Sequence, residues 1–242
     1  MTTLFVNSLT VVDFSYLHPR RGLLGESWRL DISLSGDLDQ QGMVLDFADV
    51  KRQVKRLVDL EFDHKLIIPA LSAAVRFSRQ GEQCALQFRR DDGAIIEHYS
   101  PAAALCQLQA DSVTAHSVAA AMTASLLGEM PANVTALTIR LTPEQLEGPY
   151  YHYSHGLKRH CGNCQRIAHG HRSKIEILRD GVRDAESERE WAERWRDIYI
   201  GSSEDLVAEE GGQHHYRYHA SQGDFELRLP AAHSYLIDND ST

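Results

Sequence analysis

YHYSHGLKRHCGNCQRIAHGHRSKIEI, residues 151–177, places His155, His169 and His171 around Cys161 and Cys164. Neutral imidazole is the commonest zinc ligand, and three protein ligands with one open position mark a catalytic zinc. Residues 149–157 read as a strand. Residues 169–178 read as a second, in which His169 and His171, two apart, project from one face. If the two strands pair, His155 reaches that face too, and Gly170 leaves the backbone room to bring both flanking rings onto one ion. Cys161 and Cys164, with His160 beside them, open a rival reading: a closed structural site of two thiolates and two imidazoles. The rival leaves one histidine without a role, so the expected arrangement is an open Zn2+ site of His155, His169 and His171 with a reactive cysteine beside it.

Composition narrows the partners. The 242 residues, 43% hydrophobic and 24% charged, are an ordinary soluble composition able to bury a core. A formal charge of −9 and a pI near 5.8 argue against nucleic-acid or anionic-membrane partners. The local basic cluster Lys158, Arg159, Arg166, Arg172 and Lys174 is either a solvated strand edge or a holder for an anionic substrate. No basic start followed by a long apolar run opens the chain, so no signal peptide is expected. The apolar segment Val118–Leu127 is too short to span a bilayer. Four cysteines without a framework spacing fit a reducing, cytoplasmic setting.

The chain also repeats itself. Strands are expected over 3–17 and 26–35, then a helix whose apolar positions Phe47, Val50, Val54, Leu57 and Val58 carry the helical period and which runs into Asp63-His64. Strand-like runs cover 73–99, a second helix about 113–127, and a strand 134–141. From residue 148 the pattern restarts. Phe14–His18 corresponds to Tyr151–His155, and Leu24-Gly-Glu26 to His169-Gly-His171. The charged helix Asp184–Trp195 corresponds to 46–60, so Arg196-Asp197-Ile198 falls where Phe62-Asp63-His64 stands. Pro101-Ala-Ala lies opposite Pro230-Ala-Ala. Two units are therefore expected, 1–147 and 148–242. The second stops with Asp240–Thr242 opposite Asp111–Thr114, which suggests a truncated version of a longer protein.

Both copies resemble the 6-pyruvoyltetrahydropterin synthase / 6-carboxytetrahydropterin synthase family. Gly42-Met-Val-Leu-Asp46-Phe47 and Asp63-His64 carry the likeness in the first copy; His155, Cys164 and His169-Gly-His171 carry it in the second. The resemblance implies an α+β fold of tandem tunnelling-type (T-fold) units, antiparallel sheets with helices on one face, and a homo-oligomer. It implies a site between units, with Zn2+ on His155, His169 and His171, Cys164, its pKa depressed by the dication and by Arg166, as thiolate base, and His64, oriented by Asp63, as its proton-transfer partner. The implied reaction is that of a lyase converting 7,8-dihydroneopterin triphosphate to 6-carboxytetrahydropterin, acetaldehyde and triphosphate, on the route to queuosine and related deazapurines. A pyruvoyl-forming activity, or a catalytically weak metal-binding assembly protein, are the alternatives.

The losses in the copies are complementary. The first has Leu24 and Glu26 where the metal-binding histidines belong; the second has no Asp-His pair at its helix end. One composite site is expected, shared within a chain or between chains. Glu26 with His18 remains a second place for a metal. The family's pterin-anchoring glutamate has Leu141 in its place, with Glu144 and Glu147 nearby.

Overall fold

The computed structural model describes residues 1–40 and 42–238. The expected alignment of Asp240–Thr242 lies outside the described residues. Strands β1 (Thr2–His18) and β2 (Gly22–Gly36) form a long antiparallel hairpin. Helix α1 (Phe47–Glu61) follows, capped by Asp46, whose side chain accepts from the Ala48 and Asp49 N–H groups. Its Val50, Val54, Leu57 and Val58 are buried, as the helical period requires. Then come β3 (Leu66–Pro69), β4 (Val75–Gln80), β5 (Gln83–Arg89), β6 (Ile95–Pro101), β7 (Leu105–Leu108), helix α2 (Ala115–Leu127) and β8 (Val134–Pro143). A hairpin of β9 (Tyr150–His155) and β10 (His169–Lys174) opens the second half. It continues through the short pair β11 (Leu178–Arg179) and β12 (Val182–Arg183), helix α3 (Ala185–Arg194), β13 (Ile198–Ser202), β14 (Leu206–Glu210), β15 (Gln213–Ala220), β16 (Gly223–Pro230) and β17 (Ser234–Ile237).

β10 is shorter than the sequence predicts. Beyond Lys174 the chain turns towards α3, and the Ile177 N–H donates to Glu188 Oε1 at 3.2 Å instead of joining a ladder.

Three sheets of four or more strands result. The first runs β7-β3-β1-β2-β8 and the second β10-β9-β13-β17, so among the described residues the second repeats the order of the first without a counterpart of β8. The third, β14-β15-β16-β6-β5-β4, takes three strands from each half and joins them where Leu227 of β16 faces His98 of β6. One core lies between α1, α2 and the first sheet, around Phe14, Trp28, Leu57 and Met122. A second core gathers Leu17, Leu66 and Tyr199 of the first two sheets with Phe88, Phe225 and Leu227 of the third. No helix among the described residues is long and apolar enough to cross a membrane.

The pairing registers give the correspondence between halves. Ser15 pairs with Gly25 and Leu66, while Ser154 pairs with Gly170 and Tyr199. Ser15 and Ser154 are thus equivalent, and their hydroxyls meet at 2.7 Å. This confirms Gly25 opposite Gly170 and corrects two other alignments. Tyr16, not His18, takes the place of His155, and Asp197, not Ile198, takes the place of His64. The left-handed backbone at His64 (φ 53) and Asp197 (φ 58), each two residues before the paired strand residue, agrees with the second correction. A two-residue slip keeps the facing of a strand, which is why the sequence pattern tolerated it.

At the crossing the hairpins touch backbone to backbone. A Cβ on Gly25 would stand 1.8 Å from the Tyr153 carbonyl oxygen, and one on Gly170 2.6 Å from Gly25 Cα. Gly25→Ala is therefore expected to cost about 3 kcal/mol in denaturant unfolding, whereas Gly128→Ala, with nothing nearer than 3.6 Å and an α-helical φ, should cost nothing measurable. A second expectation concerns acid. Burial drives His98 down from 6.5 to about 3, and its Nδ1 has no partner. A depressed histidine binds its proton in the unfolded chain first, so stability falls as pH drops from about 6.5 towards 3. His98→Leu should flatten that part of the stability profile measured by urea unfolding at each pH; an unchanged slope would contradict it.

Candidate active site

His155 and His169 are direct cross-strand partners, and His171 faces Tyr153 one step along. Alternation puts all three rings on one side of the hairpin. Ring centroids are 4.3 Å apart for His155 and His169, 5.3 Å for His155 and His171, and 5.8 Å for His169 and His171. One ligand atom from each lies within 4.8 Å of the others. The His155 and His169 Nε2 atoms are buried without a hydrogen-bond partner. Such atoms are costly to bury unless something binds them. His169 Nδ1 lies 2.9 Å from the Arg166 carbonyl oxygen, so its N–H points there and the Nε2 lone pair points into the triad.

Electrostatics favour the same reading. Burial first, then the neighbouring imidazoles, hold His155 at about 3 and His169 well below its ordinary value. Both rings are neutral at pH 7, with lone pairs ready for a metal. The three histidines fit Zn2+: an N3 donor set, two orphaned nitrogens, and an oriented tautomer.

The first half supplies what stands opposite. At the end of α1, Val58 O accepts from Phe62 N–H at 3.0 Å and Asp63 N–H at 2.8 Å. The left-handed turn at His64 then brings its N–H to Asp13 O at 2.7 Å. Asp63 Oδ2 lies 2.5 Å from His64 Nδ1, and Asp63 Oδ1 accepts the Asp13 N–H at 2.9 Å. The Asp63 bond raises the His64 pKa, with burial opposing it. The His64 ring sits 5.1 Å from His169 and 6.2 Å from His171. His64, Cys164 and His169 form a second group whose potential ligand atoms lie within 4.8 Å. One chain thus brings together Asp63, His64, Cys164, His155, His169 and His171. A cleft of about 450 Å³ opens beside them, lined by Tyr153, His155, Leu157, Ile200 and Ile237.

Several expectations need correction. Arg166 does not depress the Cys164 thiol: it is buried and donates to His64 O at 3.2 Å and Gln222 Oε1 at 3.0 Å. Burial, then the Asp63 carboxylate, push the thiol up. Among the described residues no metal-binding group includes Cys161 or His160. Nor do His18 and Glu26 form one. His18 Nδ1 accepts from the Arg20 and Arg21 N–H groups in a turn, and Glu26 is buried against Arg172, with Nε to Oε1 at 2.9 Å. The basic cluster is likewise committed: Lys158 to Glu204 and Asp205, Arg159 to Glu204, Lys174 to Glu176. Leu141 is buried in the first core, and Glu144 and Glu147 lie beyond the end of β8.

Sequence reasoning missed Asp13 and Ser27. Asp13 Oδ1 lies 3.4 Å from His171 Nδ1 and accepts from Ser27 Oγ at 2.5 Å. The available signal was an acid inside the apolar run Thr10–Tyr16.

One metal per chain is the expected stoichiometry by metal analysis. Cys161→Ala and His18→Ala should leave it at one, and His169→Ala should abolish it.

With the geometry in place, comparison with known proteins adds the family. A model of the family described as 6-pyruvoyl tetrahydropterin synthase matches residues 10–148. No curated protein matches the chain. A catalytic-residue mutant of Plasmodium vivax 6-pyruvoyltetrahydropterin synthase is similar, with 18% identity, TM-score 0.48, and coverage of 58% of this chain and 90% of that one. The Plasmodium falciparum enzyme is similar at 17% identity and TM-score 0.45, over 59% of this chain and 98% of that one. On the strength of the family match, which spans more than half of its residues, this chain belongs to the 6-pyruvoyl tetrahydropterin synthase family.

Proposed function

We propose that the chain is a zinc-dependent lyase that converts 7,8-dihydroneopterin triphosphate and water to 6-carboxytetrahydropterin, acetaldehyde and triphosphate, as part of deazapurine (queuosine-type) precursor synthesis. The observation that carries it is the meeting, within one chain, of Asp63-His64 from one half with Cys164, His155, His169 and His171 from the other. We take residues 1–147 and 148–242 as two diverged copies whose retained halves make this one site.

The reaction moves protons at carbons next to an oxygen-bearing carbon, so it needs an acid and a base within reach of one substrate atom. His155, His169 and His171 would hold zinc, which would supply a Lewis acid and a positive charge that favours the Cys164 thiolate. Cys164 is the base once its proton has left, although the side chains around it hold the thiol high. His64, kept protonated to higher pH by Asp63, is the acid, and its Nδ1 contact with Asp63 leaves Nε2 as the atom that exchanges the proton. The cleft beside His155 and Tyr153 gives a flat heterocycle an apolar wall.

Leu141 in place of the anchoring glutamate favours a second reading, a metal-binding assembly protein of the same family with weak catalysis. Product analysis separates the two. Zinc-loaded protein incubated with 7,8-dihydroneopterin triphosphate should release acetaldehyde, and His64→Ala and Cys164→Ala should each lower kcat by about 10²–10⁴-fold with zinc retained. Mixing those two variants under assembly conditions should restore nothing, because each site is complete within a chain. Full zinc occupancy without acetaldehyde would rule out the lyase.

A further inference from the structure

Asp13 lies on β1, in the half without metal ligands, yet it touches both parts of the candidate site. Its carboxylate oxygen Oδ1 is 3.4 Å from His171 Nδ1. Its backbone N–H donates to Asp63 Oδ1, and its carbonyl accepts from His64 N–H. Ser27 Oγ donates to the same carboxylate at 2.5 Å, and the Arg172 N–H donates to Ser27 Oγ at 3.1 Å, tying the arrangement to β10 next to His171. With Nδ1 directed at Asp13, His171 has Nε2 left for a metal.

The equivalent place in the other half offers a comparison within the same molecule. Under the equivalence of Ser15 with Ser154 and Gly25 with Gly170, Asp13 corresponds to His152 and His171 to Glu26. Those two again approach each other, at 3.7 Å, with carboxylate and imidazole exchanged. There Tyr16 and Leu24 replace His155 and His169, Glu26 is bound by Arg172, and the acid has no ligand to orient. A carboxylate facing an imidazole is thus kept on both sides of the crossing, but only the Asp13 pair has a candidate metal ligand as its imidazole.

We propose that Asp13 is a positioning residue: through His171 Nδ1 it sets the tautomer and ring orientation of a metal ligand contributed by the other half, and so couples zinc affinity to the placement of Asp63-His64. This rests on the reading of His155, His169 and His171 as a zinc site. An outer carboxylate on a ligating histidine raises the basicity of the ring and fixes its direction, and its loss typically weakens metal binding by about 10–100-fold.

The test is zinc affinity of the full chain by competition with a chromophoric chelator, together with the visible absorption of the Co2+-substituted protein. Asp13→Asn should weaken zinc binding by about 10–100-fold and alter the Co2+ bands. Asp13→Glu should recover part of the affinity, and Ser27→Ala, which removes only the hydroxyl that holds the carboxylate, should lose less. Glu26→Gln should leave affinity unchanged. The rise in Tm on adding zinc should shrink in Asp13→Asn, since that rise follows the dissociation constant. Unchanged affinity and unchanged Co2+ bands in Asp13→Asn, with only the Tm of the metal-free protein lowered, would overturn the proposal and leave the zinc site standing. Should Asp13→Asn not fold, equal affinity in Ser27→Ala and the unaltered chain would overturn it as well. A parent chain that binds no zinc would remove the zinc reading itself, and this proposal with it.

Discussion

Two hairpins cross at Gly25 and Gly170 at a distance that admits no side chain, and the Ser15 and Ser154 hydroxyls close the gap with a hydrogen bond. The residues flanking that crossing are placed by it. Once the two backbones touch, Asp13 must lie across from His171 and Glu26 across from His152. The end of α1, held to β1 through the Asp13 carbonyl and N–H, then delivers Asp63 and His64 to the same spot. A side chain at either glycine would separate the halves, and with them the two parts of the site.

The two sides of the crossing meet one electrostatic problem in different ways. Buried polar groups must be matched, because an unpaired one costs about 1–3 kcal/mol. Around Glu26 the match is internal: Arg172 reaches the carboxylate, and Arg21 forms an ion pair with Asp197, the counterpart of His64. Around His155, His169 and His171 it is not, and two ring nitrogens have no partner among the protein atoms.

Local fields set the groups around the histidine triad apart from one another. Burial pushes the His155 and His169 pKa values down, while the Asp63 hydrogen bond raises that of His64 a few ångströms away. Groups of similar intrinsic basicity are thereby pushed apart within a few ångströms of one another. Cys164 is pushed the other way from what its basic sequence neighbours suggest, first by burial and then by the Asp63 carboxylate, while Arg166 turns to His64 O.

From the sequence alone the element types, the cross-strand histidine triad and the complementary losses were legible. These follow from period-2 and period-3.6 patterns and from residue chemistry, which act over a few positions. His169-Gly-His171 could point only one way on a strand, and Val50, Val54, Leu57 and Val58 carry the helical period. The structure decided what depends on distance between segments far apart in the chain: that the Asp63-His64 pair reaches the triad within one chain, that His18 is a turn acceptor, that Tyr16 stands where His155 does, and that Asp13 touches His171. No local pattern encodes these contacts. They follow from the strand register and from the crossing at two glycines, where packing rather than residue preference sets which side chains meet.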